Sequence, residues 1–301
     1  MNRSRLTAEL IILFKGHIFN SLFQSRKDRR RKRGQVKVDV IGKYLGTLKP
    51  VICSVEEDPP LSDESEERIF SIWLQGEDNA PDIVRACYRS IRANCTQRLV
   101  VLDGTTIWDW IELPDHIVSK WKSGKIKPAH FADICRVELL YRYGGIWADA
   151  TDFVTRPFPE WLLGEDFFIY LAGNDITGSY AFIQNCFFRA RRHNYILKVW
   201  RAAIHEYWRR EDSAIDYFIH QLIFKQIVEY NTVAKQYFDR MPHIDQARTH
   251  ALWLSYKDLP YNETDFDRLA SSALFQKTEY RSTSAGHPIP GSFADVMIKM
   301  Y

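Results

Sequence analysis

Between Lys127 and Asp152 the chain reads KPAHFADICRVELLYRYGGIWADATD. The segment holds an acid and an arginine three residues apart, then two glycines, then carboxylates. Pro128 suits a first helical turn, and Gly144 and Gly145 stop what precedes them, so the pattern predicts a helix over residues 129–142. Asp133 and Arg136 share one of its faces, while Ile134, Val137, Leu140 and Tyr141 supply apolar positions at helical spacing. Residues 146–151 read as a strand that turns Trp147, Asp149 and Thr151 to one side. Regular pleating would aim Asp152 at the other side, so it joins Asp149 only if the strand breaks. An acid and an arginine on a helix beside a strand-borne carboxylate suit a charged ligand held through a hard divalent cation, Mg²⁺ or Mn²⁺. The plainer readings are a solvated ion pair for Asp133 and Arg136, and a turn cap for Asp149.

At these residues the chain resembles the bacterial capsular polysaccharide synthesis glycosyltransferases, and more distantly the retaining sugar transferases that carry S-D-x-x-R, L-x-x-x-G-G and D-x-D. The matching pieces are Ala132-Asp133-Ile134-Cys135-Arg136, Leu140 to Gly145, and Asp149-Ala150-Thr151. Ala132 replaces the usual serine. Thr151 stands where the wider group has its second aspartate, although Asp-Ala-Thr is the form of the capsular subfamily. Further segments are similar to the family's opening strand and nucleotide loop (Ile69 to Gly76, Ala80 to Val84), its acceptor side (Phe182 to Ala190, Asp216 to His220) and its last motif (Gln276 to Arg281).

The resemblance implies an α/β, GT-A type nucleotide-sugar domain with a mainly parallel sheet. It also implies retaining transfer of a sugar from a nucleotide diphosphate sugar, with a UDP-sugar as the expected donor, to a glycan or lipid-linked acceptor. It casts Asp133 and Arg136 as donor-sugar contacts, Gln184 and Asn185 as polar orienters near the anomeric carbon, and Gln75, Gly76, Lys277 and Arg281 as nucleotide and diphosphate contacts. Asp149 would hold the cation, helped by Thr151, Asp152 or a late ligand, His287. Two other readings use the same residues: a metal-dependent nucleotide-sugar hydrolase, and a non-catalytic scaffold at a membrane surface.

The elements that must position these groups follow an α/β pattern. Strands are expected at Ile69–Leu74, Arg98–Leu102 and Phe167–Leu171, a short strand or turn at Ile107–Ile111, and helices at Asp82–Asn94, Pro114–Lys122, Asn194–Arg210 and Ala214–Tyr230. With 301 residues and 46% hydrophobic content, one large domain with appendages is expected. Five cysteines lack C-x-x-C or zinc spacing and read as buried thiols of a reducing compartment. No signal-peptide pattern is read, and Leu10 to Phe14 is far shorter than the ~20 apolar residues that span a bilayer.

The net charge of +3 conceals an asymmetry: residues 1–50 hold 13 Lys/Arg against 3 Asp/Glu, which leaves 28 against 35 in the remainder. An acidic body argues against nucleic acid as a partner. The basic excess centres on Arg26 to Arg33, after an apolar stripe of Leu6, Leu10, Leu13, Phe14, Ile18 and Leu22. An amphipathic helix followed by a polybasic run fits an anionic membrane surface and a peripheral position on its cytoplasmic face. Residues 1–50 are therefore set apart as an extension, residues 51–68 as an acidic linker around EEDPPLSDESEE, and residues 69–301 as the catalytic domain.

Overall fold

The computed structural model describes residues 26–58, 67–172 and 181–301, together with Arg3, Leu6 and Thr7. Its strands are β1 (Arg68–Ile72), β2 (Arg98–Leu102), β3 (Gly145–Ala148), β4 (Asp152–Phe153), β5 (Phe167–Leu171), β6 (Ile183–Ala190) and β7 (Gln276–Lys277). Five of them form the central sheet in the order β2-β1-β3-β6-β5, while β4 and β7 pair as a separate ribbon. β2 and β3 run parallel to β1; β6 runs antiparallel to β3 and β5, so four of the five strands point the same way.

Alternation along the strands buries both sheet faces. Phe70, Ile72, Val100, Trp147, Ile169 and Phe188 join one core with residues of the helices Pro128–Tyr143, Tyr195–Arg210 and Ile219–Tyr230. Ile69, Ile146, Ala148, Phe168 and Phe187 face the opposite way, into a second cluster with Ile91 and Val154. At roughly 1.5–3 kcal/mol for each large apolar side chain removed from water, these layers hold the strand ends rigid. The glycine pair between helix and β3 is required by space. Gly144 and Gly145 have φ of 67° and 94°, and a Cβ would meet the Arg192 backbone in the first case and the Arg68 carbonyl in the second. Only glycine lets β3 lie this close to β1.

The helices Arg26–Leu45 and Lys49–Ser54 and the 3₁₀ turn Gly46–Leu48 between them contribute Val38, Ile41, Leu45, Leu48 and Ile52 to the same core as the sheet. Residues 38–52 thus complete the body rather than stand off from it. Leu6 is buried too, whereas the other stripe positions, Leu10 to Leu22, lie outside the described residues, as does the middle of the acidic stretch. Where that stretch is described it binds the body, through Lys198 to Asp58 at 2.7 Å and Arg189 to Glu67 at 2.7 Å. Among the described residues no helix is long and apolar enough to cross a membrane.

Three local expectations change, and the strand-or-turn alternative at residues 107–111 resolves as a turn. β1 ends at Ile72 and β3 at Ala148, each short of its predicted end, because the chain turns into the site. Residues 106–109 form a 3₁₀ turn begun by Asp103, whose Oδ1 accepts from the backbone N–H of Thr105 (2.7 Å) and Thr106 (2.8 Å). The helix expected from Ala214 starts at Ile219, since Asp216 accepts from the Phe218 N–H at 2.8 Å and is also paired with Lys37. Of the cysteines, Cys53 is exposed and Cys95 partly so, while Cys87, Cys135 and Cys186 are buried.

Candidate functional site

The chain runs from β1 outward to β2 on one side and returns to β3 on the other. The gap beyond the carboxyl ends of β1 and β3 is therefore a topological switch point, where open α/β sheets bind ligands. A cavity of about 650 Å³ lies there. Its walls include Trp73 and Gln75 after β1, Ala132, Asp133 and Arg136 from the Pro128–Tyr143 helix, and Trp147, Asp149, Ala150 and Thr151 at and beyond the end of β3. Gln184 and Asn185 of β6, Tyr217, Phe218 and Gln221, and Lys277 to Arg281 close it.

Arg136 is the hub. Its Nη2 lies 3.4 Å from Asp133 Oδ1 and 3.1 Å from Asp149 Oδ1, Nη1 donates to the Asn185 carbonyl, and the guanidinium sits 4.9 Å from the Trp147 ring centroid. Asp133 and Arg136 are 7% and 6% exposed, so this is no solvated surface pair. Asn185 reaches Asp133 because β6 bulges opposite Ile169 and Tyr170, which re-aims the side chains between. Its Nδ2 donates to Asp133 Oδ1 at 2.8 Å, and its Oδ1 accepts from Gln221 Nε2 at 2.9 Å. Burial alone would raise the Asp133 carboxyl, but Arg136, with help from His220 and His130, outweighs it and holds the group well below the usual carboxylate range.

The second node is built across the β4–β7 ribbon, where Asp152 pairs with Lys277. The strand does break: Asp152 N–H returns to the Asp149 carbonyl at 3.0 Å, and the turn brings both carboxylates to one ammonium. Lys277 Nζ donates to Asp149 Oδ2 at 2.9 Å and to Asp152 Oδ1 at 3.0 Å. The other oxygens are also taken. Asp149 Oδ1 accepts from Trp147 Nε1 at 2.8 Å, and Asp152 Oδ2 from the Asp149 N–H at 3.1 Å. Burial would raise Asp149, yet Arg136 and Lys277 pull it down; for Asp152 burial prevails and pushes it up. Burial opposes the Lys277 charge, but the two carboxylates overcome this and raise its pKa.

This arrangement fits the expected divalent cation poorly. A metal on Asp149 would have to displace Lys277 and lie beside Arg136. The Thr151 carbonyl is engaged by Thr278 N–H at 2.8 Å and Oγ1 at 3.0 Å, and His287 is exposed and absent from the cavity wall. His130, Asp133 and His220 offer another cluster, with ligand atoms all within 4.8 Å of one another. His220 argues against a metal there. Its Nε2 accepts from Trp208 Nε1 at 3.2 Å, and burial drives its pKa down to about 3, so the ring is neutral with its proton on Nδ1, the atom a metal would need.

Of the residues singled out in the sequence, Gln75, Asp133, Arg136, Asp149, Thr151, Gln184, Asn185, Lys277 and Arg281 line this one cavity. Gly76 supports it from behind by a turn, its N–H donating to the Trp73 carbonyl at 2.8 Å, and Asp152 acts through Lys277. Sequence reasoning did not single out Trp73, Tyr217, Gln221 or Tyr280. Gln221 Oε1 and Trp73 Nε1 are buried polar atoms with no hydrogen-bond partner among the described residues, and both side chains belong to the cavity wall. Trp73, Tyr217 and Tyr280 lie inside the segments that resemble the family, but no charge or spacing set them apart there, and Gln221 falls just beyond its segment. The Trp73 and Tyr280 rings meet edge-on at 5.0 Å. Among the other tryptophans, Trp200, Trp208 and Trp253 are core, and Trp161 is 41% exposed but outside the cavity wall.

The chain belongs to the capsular polysaccharide synthesis protein family, whose model matches residues 21–289. That match begins inside the basic N-terminal segment. No curated protein matches the chain. Among solved structures, one described as the PaToxG glycosyltransferase is similar over 71% of this chain and 83% of its own, at 12% identity and a TM-score of 0.39.

Proposed function

We propose that this protein is a glycosyltransferase of surface polysaccharide synthesis, with a GT-A type nucleotide-sugar site, moving a sugar from a nucleoside diphosphate donor to a glycan or lipid-linked saccharide. The observation that carries this reading is the convergence of Asp133, Arg136, Asn185, Asp149 and Lys277 on one cavity at the β1/β3 switch point. In the reaction the bond from the anomeric carbon to the diphosphate breaks, its electron pair leaving with the diphosphate oxygen. The acceptor oxygen bonds to that carbon, and its proton passes to the departing diphosphate. The cations Arg136, Lys277 and Arg281 suit the charge that develops there. Asp133, with Asn185 and Gln221 behind it, suits the sugar hydroxyls.

Retention of configuration is the reading that the electrostatics support. Asp133 and Asp149 are both held below the usual carboxylate range by their cations, so each is a weak base and a weak nucleophile. Activation of the acceptor by a strong base and formation of a covalent intermediate are both disfavoured, which leaves attack on the face that the diphosphate leaves. A basic segment at Arg26 to Arg33 suits a peripheral place on an anionic, cytoplasmic membrane face, where lipid-linked acceptors are within reach.

The test is a panel of nucleoside diphosphate sugars with a lipid-linked saccharide acceptor, followed by nucleotide release and by product NMR. Acceptor-dependent release with the donor's anomeric configuration kept in the product supports the reading. Release that ignores the acceptor identifies a hydrolase, and no release from any donor by a protein that binds none of them rejects both.

A further inference from the structure

We propose that Lys277 is the resident cation of this site, its ammonium meeting the leaving diphosphate where a divalent metal would be expected. The inference rests on the glycosyl-transfer reading for what the ligand is, but its geometry stands independently. The antiparallel register of β4 and β7 places Lys277 opposite Asp152, so its position follows from the ribbon and not from a flexible arm that happens to reach across. Nζ bonds Asp149 Oδ2 at 2.9 Å and Asp152 Oδ1 at 3.0 Å. An ammonium has three protons. Two are spent on these carboxylates, and Lys277 also lines the cavity with its side chain 16% exposed, so the third is free for a phosphate oxygen.

The departure of this chain from D-x-D has a physical explanation on the same terms. Thr151 supplies no second charge, and the next acid, Asp152, is fully buried beneath Lys277 with both oxygens bonded. Asp149 is shared between two fixed cations, Arg136 and Lys277. A divalent ion at that carboxylate would face both at close range, where like charges repel strongly in a sheltered site. A lysine held by two carboxylates is already oriented and already charged. It supplies the stabilisation of the departing oxygen as a point charge without having to be recruited from solution.

The test uses the full-length protein, Mn²⁺ as metal probe and UDP as nucleotide probe. Mn²⁺ electron paramagnetic resonance reads metal uptake with no substrate present, calorimetry reads UDP affinity with Mn²⁺ or with EDTA, and nucleotide release reads turnover in both conditions. The wild type should bind no Mn²⁺ at this site, bind UDP equally well with and without metal, and keep its turnover in EDTA. Lys277→Ala should weaken UDP binding and lower turnover by about 100-fold, the scale for removing one positioned donor. It should also take up Mn²⁺ at the freed Asp149 and Asp152 oxygens, so that part of the lost activity returns with metal. Should the unpaired Asp152 prevent folding, Lys277→Ala/Asp152→Asn removes the orphaned charge and is expected to show the same loss of UDP affinity. Mn²⁺ uptake by the wild type, or UDP binding that collapses in EDTA, overturns the proposal even if no sugar donor is ever found. Failure to transfer sugar while metal-free UDP binding persists and depends on Lys277 rejects only the glycosyl-transfer reading.

Discussion

Arg136→Met removes the charge at the hub while keeping most of the side chain's length. In the wild type the guanidinium offsets two carboxylates, Asp133 at 3.4 Å and Asp149 at 3.1 Å, and binds the Asn185 carbonyl. Asp133 is 7% exposed and loses its principal counter-charge once the arginine is gone, keeping the hydrogen bond from Asn185. Breaking a buried pair from one side costs about 3–5 kcal/mol, because the remaining charge is left uncompensated. At roughly 2 °C per kcal/mol for a chain of this size, Tm should fall by about 6–10 °C. The sign of the pH dependence is set by Asp133. Its folded pKa is depressed below the ordinary 3.8, so its contribution is complete above that value and is lost as pH falls through the folded pKa. In the variant the depression disappears. Its deficit relative to the wild type should therefore be full at neutral pH and shrink towards pH 3. Thermal and urea unfolding from pH 3 to 8 measure this, with Arg136→Lys as the control that restores charge without the fork. A Tm loss under 2 °C, or a deficit that grows on acidification, refutes the account of Arg136 as the counter-charge of a buried carboxylate pair.

Gly145→Ala should cost roughly 3 kcal/mol or prevent soluble expression, because a side chain at φ 94° would be strained and driven into Arg68; chemical denaturation checks this. Glu138 is 1% exposed, accepts from Arg201 Nε at 2.6 Å and lies 2.7 Å from His205 Nε2, away from the cavity. Glu138→Gln should lower stability by about 2 kcal/mol with kcat/KM unchanged, and a kinetic defect in a folded protein would contradict that separation. Asp133→Asn should lower kcat more than it weakens nucleotide binding, since the sugar contact matters most at the transition state; equal kcat in steady-state assays would return Asp133 to a structural role. Replacing Arg29, Arg30 and Arg31 with Glu should weaken sedimentation with anionic vesicles at least roughly 100-fold at low salt, at about 1 kcal/mol per basic residue, while neutral vesicles show no change. Deleting residues 1–50 would not test this point, because Val38 to Leu48 belong to the core.

The sequence alone determined the pieces whose cause is local. The helix Pro128–Tyr143, the placement of Asp133 and Arg136 on one of its faces, and the glycine break follow from proline at the first turn, helical spacing and the positive φ that only glycine takes without strain. The strands at Arg98–Leu102 and Phe167–Leu171 were equally legible from their apolar runs. What the tertiary structure decided is everything that depends on partners far along the chain. Asp133 meets Asn185 across 52 positions, and Asp152 meets Lys277 across 125, through a two-residue ribbon too short to carry a periodic signal. The early end of β3 at Ala148 has the same origin. A strand continued to Thr151 would satisfy propensity but would leave Asp152 buried without its lysine, and the cost of an unpaired buried carboxylate exceeds the few tenths of a kcal/mol that local preference can set against it.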